Sequence, residues 1–537
     1  MAGVARPTNS VGKCVNKKMP IVWTIAGSDS GGGAGIQADL PTFRDFACHG
    51  CSVITGLTAQ NSFALGDVAI TSRKNFAAQI NALDSDLPAA AIKIGMLGNA
   101  RIATSVAKYL RDYRLQNRKQ NKNGFIVLDT VLFTTTGGSL FEGEGLDQLK
   151  SALFSLADII TPNRDEVELL LGRKLNDWQD LPQAAADLLS LGAKSVLITG
   201  GHFSAINGLR FDYWTNGRES FWLGGENIDT QNTHGTGCTL ASAIAASLAR
   251  GSALADALVL AKMYVTAGLR KAQQFGSGPG PVAHTGWPDQ LADLPRLYKT
   301  LDEVSDSSLS RDPDLRRDDH ALFVNDYGFP STDGELEFYP VVDSVEWLEK
   351  LLPLGVKTIQ FRNKILRGEE LSQAVKRCAE LAKEFSARVF VNDYWQLAIE
   401  HNAYGVHLGQ EDLDSADIAA IANAGLRLGI STHSYAEIAR AHALKPSYIA
   451  IGPIFPTTTK QMVFDPQGLE KLAEWVRLLK PAYPLAAIGG IDLNNVDAVL
   501  ATGVGSVAVV RAVTEAADYP KVVAAMHNRH KYGFLAQ

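Results

Sequence analysis

Two segments of the chain concentrate glycine where chemistry on an anion would need it. Thr233-His234-Gly235-Thr236-Gly237-Cys238 runs directly into the apolar stretch 239–249. Successive backbone N–H groups at a helix start form an anion site, and the helix dipole adds to it. A cysteine there is expected to have a lowered pKa and could accept a proton; the plainer reading makes Cys238 a small residue filling a helix–sheet gap. The earlier run from Ile25 through Gly27, Asp29 and Gly31-Gly32-Gly33 to Gly35 matches neither G-x-G-x-x-G nor G-x-x-x-x-G-K-[ST]. Its glycines make at least a tight turn. Phosphoryl transfer asks a protein mainly to position groups and to stabilise charge on the equatorial oxygens, with a nearby base adding ~10²–10⁴-fold. His234 and His202 lie beside such loops and read as packing or hydrogen-bonding histidines.

A second set of reactive side chains falls between residues 360 and 511. Arg362 and Lys364 stand two apart, which on a strand would put them on one face, and with Lys460 they suit a phosphate or pyrophosphate. Asp393 and Asp412 suit a hard divalent cation such as Mg²⁺, which keeps most of its water. Asn392 and Ser431 are either ligand contacts or caps of the helices that follow them.

The elements that must position these groups follow from periodicity. Eight short strand candidates succeed one another: Phe338–Val342, Thr358–Phe361, Val389–Val391, Gly405–Leu408, Arg427–Ile430, Tyr448–Ile451, Leu485–Ile488 and Ser506–Val510. Eight βα units in roughly 200 residues suggest a (β/α)₈ barrel, whose chemistry sits at the C-terminal strand ends. Gln360, Arg362, Lys364, Asn392, Asp393, Gln410, Asp412, Ser431, His433, Thr457, Thr458, Thr459, Lys460 and Gly489-Gly490 all fall there. In the first half, Ile21–Ala26, Cys51–Leu57, Ala91–Ile94, Phe125–Leu128 and Ser195–Thr199 alternate with helix-forming sequence, which reads as a mostly parallel sheet. Phe211–Trp214 and Ser220–Leu223, joined by Asn216-Gly217, look like an added hairpin.

Between the halves, Gly276 to Pro281 is a punctuation cluster and Lys299–His320 is dense in charge and serine. The expected organisation is therefore a basic tail over 1–18, a first domain over 19–292, a connector over 293–330 and a second domain over 331–537. Lys299–His320 shows no apolar stripe, so cutting there is expected to expose little core.

Composition closes off other classes. The 537 residues are 46% hydrophobic and 20% charged, which excludes disorder along the whole chain. A formal net charge of -6 argues against nucleic-acid binding by bulk electrostatics. No run approaches ~18 apolar residues, so no membrane span is expected. Five cysteines, with only Cys48 and Cys51 spaced C-x-x-C, point to a reducing cytoplasm. The expected partners are small molecules, and a homo-oligomer is left open.

The first half resembles hydroxymethylpyrimidine/phosphomethylpyrimidine kinase of the ribokinase-like superfamily. The stretches that carry this are TIAGSDSGGGAGIQADL (24–40), GCSVITGLTAQNS (50–62), KIGML (93–97), TPNRDE (161–166), ITGGH (198–202) and NTHGTGCTLASAIAA (232–246). The resemblance implies a ribokinase-like αβα sandwich that uses ATP as co-substrate. It implies that Gln60 and Met96 line the pyrimidine pocket with Asp29 and Asp39 near it, and that Asn163-x-x-Glu166 helps hold a magnesium–phosphate network. Gly235, Thr236 and Gly237 would form the anion hole and Cys238 would be catalytic. Where the family often reads Asp-Thr-Val-Met and then Ala-Lys-Ser-Gly, this chain reads Asp129-Thr130-Val131-Leu132-Phe133-Thr134-Thr135-Thr136-Gly137 and lacks the lysine.

Residues 336–515 resemble thiamine-phosphate synthase through YPVVDSVEWLEKLL (339–352), IQFRNK (359–364), VFVNDYWQLAI (389–399), AYGVHLGQEDL (403–413), RLGISTH (427–433), SYIAIGPIFPTTTKQM (447–462), PQGLE (466–470) and AIGGI (487–491). By position, the resemblance implies that Gln360, Arg362, Lys364, Asn392, Ser431 and Lys460 bind the pyrimidine diphosphate and that Asp393 and Asp412 hold Mg²⁺. Thr457, Thr458, Thr459, Gly489, Val510 and Arg511 would receive the thiazole phosphate, although related synthases often have serine where Arg511 stands. The implied enzyme is bifunctional: ATP-dependent phosphorylation to the pyrimidine diphosphate, then condensation with thiazole phosphate. Rival readings are a pyridoxal-type kinase joined to a thiazole tautomerase, or one half as a degenerate ligand-binding module.

Overall fold

The computed structural model describes residues 18–120, 124–131, 145–301, 328–457, 465–480 and 482–532. The altered stretch Phe133–Thr136, the tail up to residue 17, most of the charged connector, and Thr458, Thr459 and Lys460 lie outside the described residues.

The first half forms a ten-stranded sheet in the order β10-β9-β8-β7-β6-β5-β4-β1-β2-β3. Its strands are β1 (Ile21–Asp29), β2 (His49–Gln60), β3 (Leu65–Ile70), β4 (Ala91–Ile94), β5 (Phe125–Leu128), β6 (Ile159–Ile160), β7 (Val196–Thr199), β8 (Leu209–Thr215), β9 (Ser220–Glu226) and β10 (Arg296–Tyr298). β1 pairs in parallel with both β2 and β4 at its edges, and its two faces are both covered: Val22 joins one apolar cluster and Trp23 and Ile25 the other. A central parallel strand reads as a continuous apolar run for this reason. The β8–β9 hairpin is antiparallel as expected, with Asn216 Oδ1 accepting from the Arg218 and Glu219 amides across the turn.

The second half is a closed parallel barrel of eight strands: β11 (Phe338–Val342), β12 (Thr358–Phe361), β13 (Arg388–Asn392), β14 (Gly405–Leu408), β15 (Arg427–Thr432), β16 (Tyr448–Ile451), β17 (Leu485–Ile488) and β18 (Ser506–Val509). Alternation sorts their side chains. Tyr339, Val341, Phe390, Tyr448, Ala450, Ala486 and Ala508 pack in the interior, whereas Phe338, Ile359, Val391 and Val406 join the layer under the helices.

The boundary between the halves needs correction. β10 falls inside the stretch assigned to the connector, yet it pairs with β9 and completes the first sheet. β10 and the helix Leu254–Arg270 pack against the barrel helix Tyr435–Leu444, and buried Ala443 shares an apolar cluster with Tyr298. The apolar contact between the halves is made by these elements, before the charged stretch begins.

Candidate active sites

The two glycine segments of the first half meet. Gly235 caps the helix Thr236–Ala249 with φ 79°, and a Cβ there would lie 1.9 Å from the Gly33 carbonyl oxygen. A side chain on Gly33 would in turn strike the His234 ring at 2.3 Å, so glycine is required on both sides of the contact. Asp29 holds the first loop, its carboxylate accepting from the amides of Gly31 (2.8 Å), Gly33 (3.1 Å) and Ala34 (2.9 Å). His234 Nε2 lies 3.1 Å from Asp29 Oδ2 and 3.4 Å from Gln60 Nε2. Burial opposes the charge on Asp29, but the contacts from His234 and the loop amides outweigh it and hold the carboxyl below its usual range. Met96 packs over Gly27, where a Cβ would sit 2.9 Å from its sulfur. Gln60, Met96, Asp29 and His234 thus line one end of the sheet beside the anion-type nest.

Asp39 lies deeper. It is fully buried and accepts from Lys93 Nζ at 2.9 Å, Thr24 Oγ1 at 2.6 Å and Ser242 Oγ at 2.7 Å. Its place is under the site, bonded to Lys93. Burial works against the Lys93 ammonium, but Asp39 and its neighbours hold it charged, above the ordinary lysine range. Asp129, with Oδ2 3.8 Å from Lys93 Nζ, is pushed up to about 6 by burial against the pull of that lysine. The expectation of a lowered Cys238 pKa is overturned. Burial pushes the thiol up to about 12; Lys93 and a backbone hydrogen bond at Gly35 favour the thiolate but are outweighed, and nearby Asp129 and Asp39 oppose it. Sequence reasoning passed over Lys93 as a functional residue, although it stands in the quoted stretch KIGML.

Asn163 and Glu166 form a capping box: the Asn163 side chain accepts from the Glu166 amide at 3.0 Å, and Glu166 Oε2 from the Asn163 amide at 3.0 Å. Thr130 Oγ1 also donates to Glu166, tying the box to the end of β5. His202 pairs with Asp165 at the surface.

At the barrel rim, β12 ends at Phe361, so Arg362 and Lys364 stand on the following loop and not on one strand face. Buried Asn363 braces that loop, donating to the Asp343 carbonyl and accepting from the amides of Ile365 and Leu366. Lys364 Nζ bonds to Asp393, which holds φ 66° just past β13. Asn392 is buried at the end of β13 and caps no helix, since the next one starts after Tyr394. Ser431 is no cap either; Ser434 takes that place.

Beneath the rim a chain of neutral groups joins two predicted residues, Gln360 and Ser431, through Tyr339, Tyr448 and His407, which sequence reasoning missed. Gln360 Nε2 donates to the Tyr339 hydroxyl at 3.1 Å, and the Tyr339 and Tyr448 hydroxyls lie 2.8 Å apart. His407 bridges Tyr448 at 2.6 Å and Ser431 Oγ at 2.8 Å. Burial, helped by Arg362 and opposed by Asp393, pushes His407 down to about 4, so it links them as a neutral ring. Their inward positions on β11, β14 and β16 were available from alternation, but nothing in the sequence says that polar residues there would bond to each other.

Asp393 and Asp412 face each other. Burial first and then the Asp393 charge raise Asp412, while the Gly409 amide at 3.1 Å works against them. Among the described residues no group of three or more His, Cys, Asp or Glu could hold a metal. Two carboxylates completed by substrate oxygens and water are the usual setting for Mg²⁺, and this pair fits it. Thr457, Gly489 and Val510 follow the adjacent strands β16, β17 and β18, and Arg511 is exposed. Cys48, Cys51, Cys238 and Cys378 are buried and free.

A glycine-built nest on an open sheet and a cationic rim on a closed barrel give an α/β chain two candidate sites. Residues 29–283 match the family model for phosphomethylpyrimidine kinase, and residues 335–513 that for thiamine monophosphate synthase. A probable thiamine biosynthetic bifunctional enzyme, chloroplastic, from Oryza sativa is 32% identical over 95% of this chain and 88% of its own. A thiamine-phosphate synthase of Yersinia pestis is 57% identical over 197 residues, 37% of this chain and 91% of its own. Among solved structures, a pyridoxal kinase of Bacillus subtilis in complex with ADP has 33% identity and a TM-score of 0.44, covering 50% of this chain and 97% of that one. The chain belongs to the bifunctional thiamine-biosynthetic enzyme family, with a phosphomethylpyrimidine kinase domain followed by a thiamine-phosphate synthase domain.

Proposed function

We propose that the first half phosphorylates hydroxymethylpyrimidine and its monophosphate with ATP, and that the barrel condenses the resulting diphosphate with thiazole phosphate, releasing pyrophosphate. The observation that carries this reading is a single relative aligned along 95% of the chain, across both halves. In the kinase, the nest at Gly235, Thr236 and Gly237 receives phosphate oxygens, and Gln60 and Met96 receive the pyrimidine. Cys238 is assigned by resemblance to the transfer of the hydroxyl proton, and its side chain is hydrogen-bonded to Asp129. Asn163 and Glu166 orient the nucleotide side from the start of their helix.

In the barrel, Arg362, Lys364, Asn392 and Ser431 hold the diphosphate, with Lys460 assigned by resemblance alone, and Gln360 holds the pyrimidine. Thr457, Gly489, Val510 and Arg511, with Thr458 and Thr459 by resemblance, take the thiazole phosphate. Asp393 and Asp412 would hold Mg²⁺, which would supply charge neutralisation for the leaving pyrophosphate. The residues stabilise the leaving group and keep water from the electron-deficient methylene carbon until the thiazole nitrogen reaches it.

No described helix is long and apolar enough to cross a membrane. We assign a cytoplasmic setting on the free cysteines; the rice relative's name refers to the chloroplast.

The full chain, supplied with hydroxymethylpyrimidine, ATP, Mg²⁺ and thiazole phosphate, should yield thiamine phosphate and pyrophosphate. Turnover of pyridoxal in place of hydroxymethylpyrimidine, with no thiamine phosphate formed, would favour the rival kinase reading.

A further inference from the structure

The first half reaches two segments of the barrel rim. The helix Tyr435–Leu444 follows β15, and its N-terminal amides need partners. Ser434 Oγ accepts from the Glu437 amide at 3.2 Å, and Glu437 reaches back to the His433 amide at 2.6 Å. The Ala436 amide donates instead to Asp256 Oδ1 at 2.9 Å, and Asp256 belongs to the first half, in the opening turn of the helix Leu254–Arg270. Asp256 is 7% exposed and also bonds to the Ser434 side chain. A buried carboxylate from one half thus completes the cap of a helix in the other, three residues after Ser431.

The second segment carries Asp412. Asp414, at the end of the single turn Asp412–Asp414, accepts from Lys299 Nζ at 2.6 Å and also pairs with Arg440. Lys299 directly follows β10 of the first sheet, and Arg440 belongs to the helix that Asp256 caps. Arg440 Nη1 donates to the Gln410 carbonyl at 2.9 Å, and Gln410 Nε2 to the Ser431 carbonyl at 2.8 Å. The contacts from Asp256 and Lys299 therefore converge, through one helix and one turn, on the segments bearing Ser431 and Asp412.

We propose that Asp256 and Lys299 of the kinase half are positioning residues of the synthase site. They hold in register the segment that presents Ser431 to the diphosphate and the turn that presents Asp412 to the cation. This rests on the assignment of Ser431 and Asp412 to the synthase reaction. A capping carboxylate is worth enough to shift a neighbouring binding group measurably, whereas the half-exposed Lys299–Asp414 pair contributes less.

In the full chain, Asp256→Ala should raise KM for the pyrimidine diphosphate about tenfold, leaving kcat within about twofold. Kinase turnover should not change. Asp256→Asn keeps an oxygen for the Ala436 amide and should bring KM back to within about twofold of the parent. Lys299→Met should raise the Mg²⁺ concentration for half-maximal condensation about twofold. Unchanged KM and Mg²⁺ dependence in an Asp256→Ala/Lys299→Met double variant would overturn the proposal, provided Ser431→Ala and Asp412→Asn still cripple condensation. If those two were silent, the assignment of the rim itself would fall, and the proposal with it. Should Asp256→Ala not fold, Lys299→Met decides, and an unshifted Mg²⁺ dependence there would sink the idea.

Discussion

The two proposed phosphate sites are built in opposite ways. In the first half the proposed nest offers backbone amides between two glycine loops, and the charged side chains Lys93, Asp39 and Asp129 lie buried beneath them. At the barrel rim the charges stand outside, with the Lys364 side chain 53% exposed, and the buried groups beneath it, Gln360, Tyr339, Tyr448 and His407, are held uncharged. Backbone amides carry only partial charge, so the first site can keep full charges below for holding the fold and for protons. The rim cation Lys364 instead stays at the surface, bonded to Asp393, and so avoids the cost of a buried charge.

The strongest test of this contrast is removal of one lysine from each site. Lys93→Met leaves Asp39 and Asp129 without their counter-charge and should destabilise the first half by about 3–5 kcal/mol, read by denaturant unfolding. Lys364→Met should leave stability within about 0.5 kcal/mol and instead lower condensation. Comparable stability losses in both would break the contrast.

Cys238→Ala should lower kinase turnover ~10²-fold or more while condensation from added pyrimidine diphosphate continues. With the thiol at about 12, the ligand-free parent should also resist alkylation at Cys238 near pH 7. Near-normal phosphorylation by the variant would reduce Cys238 to a packing residue.

Asp393→Asn and Asp412→Asn should each raise the Mg²⁺ requirement of condensation about tenfold and slow it, with phosphorylation intact. Measured Mg²⁺ titrations that superimpose on the parent would dismiss this carboxylate pair as the cation site.

The smallest effect concerns acid. Burial, reinforced by Arg296 and Lys445, pushes His442 down to about 3, and its ring lies 2.8 Å from the Tyr483 hydroxyl. The unfolded chain, with histidine near ~6.5, takes up the proton first. The stability from keeping His442 neutral is therefore full above that value and is lost as pH falls toward about 3. His442→Gln should flatten the acid side of the plot of melting temperature against pH, while an identical slope would exclude His442 as its source.

Much of this was legible in the residues. Five of the eight barrel strands begin and end where apolar runs placed them, among them Gly405–Leu408 and Tyr448–Ile451, because short buried strands bounded by polar turns leave little latitude. β3 and the two-residue β6 escaped notice: β3 is an edge strand interrupted by Gly66 and Asp67 with no buried position, and β6 is too short to show a period. The rim residues could be found from strand ends, but the bonds among Gln360, Tyr339, Tyr448, His407 and Ser431 depend on closure of the barrel. The raised thiol of Cys238 depends likewise on its own burial, with Asp129 and Asp39 beside it, which no local spacing records.

The contact between Gly33 and Gly235 also has a temporal side. A ribosome adding about 5–20 residues per second leaves the first loop waiting roughly ten seconds or more for the second to be made. Throughout that interval the Asp29 turn has no opposing loop, and the nascent chain has no complete nest of the kind proposed for the nucleotide phosphates. On that assignment, nucleotide cannot chaperone the early steps of folding. It can reward only a chain that has been translated past Cys238, which makes its capture a report on synthesis already completed through the heart of the domain.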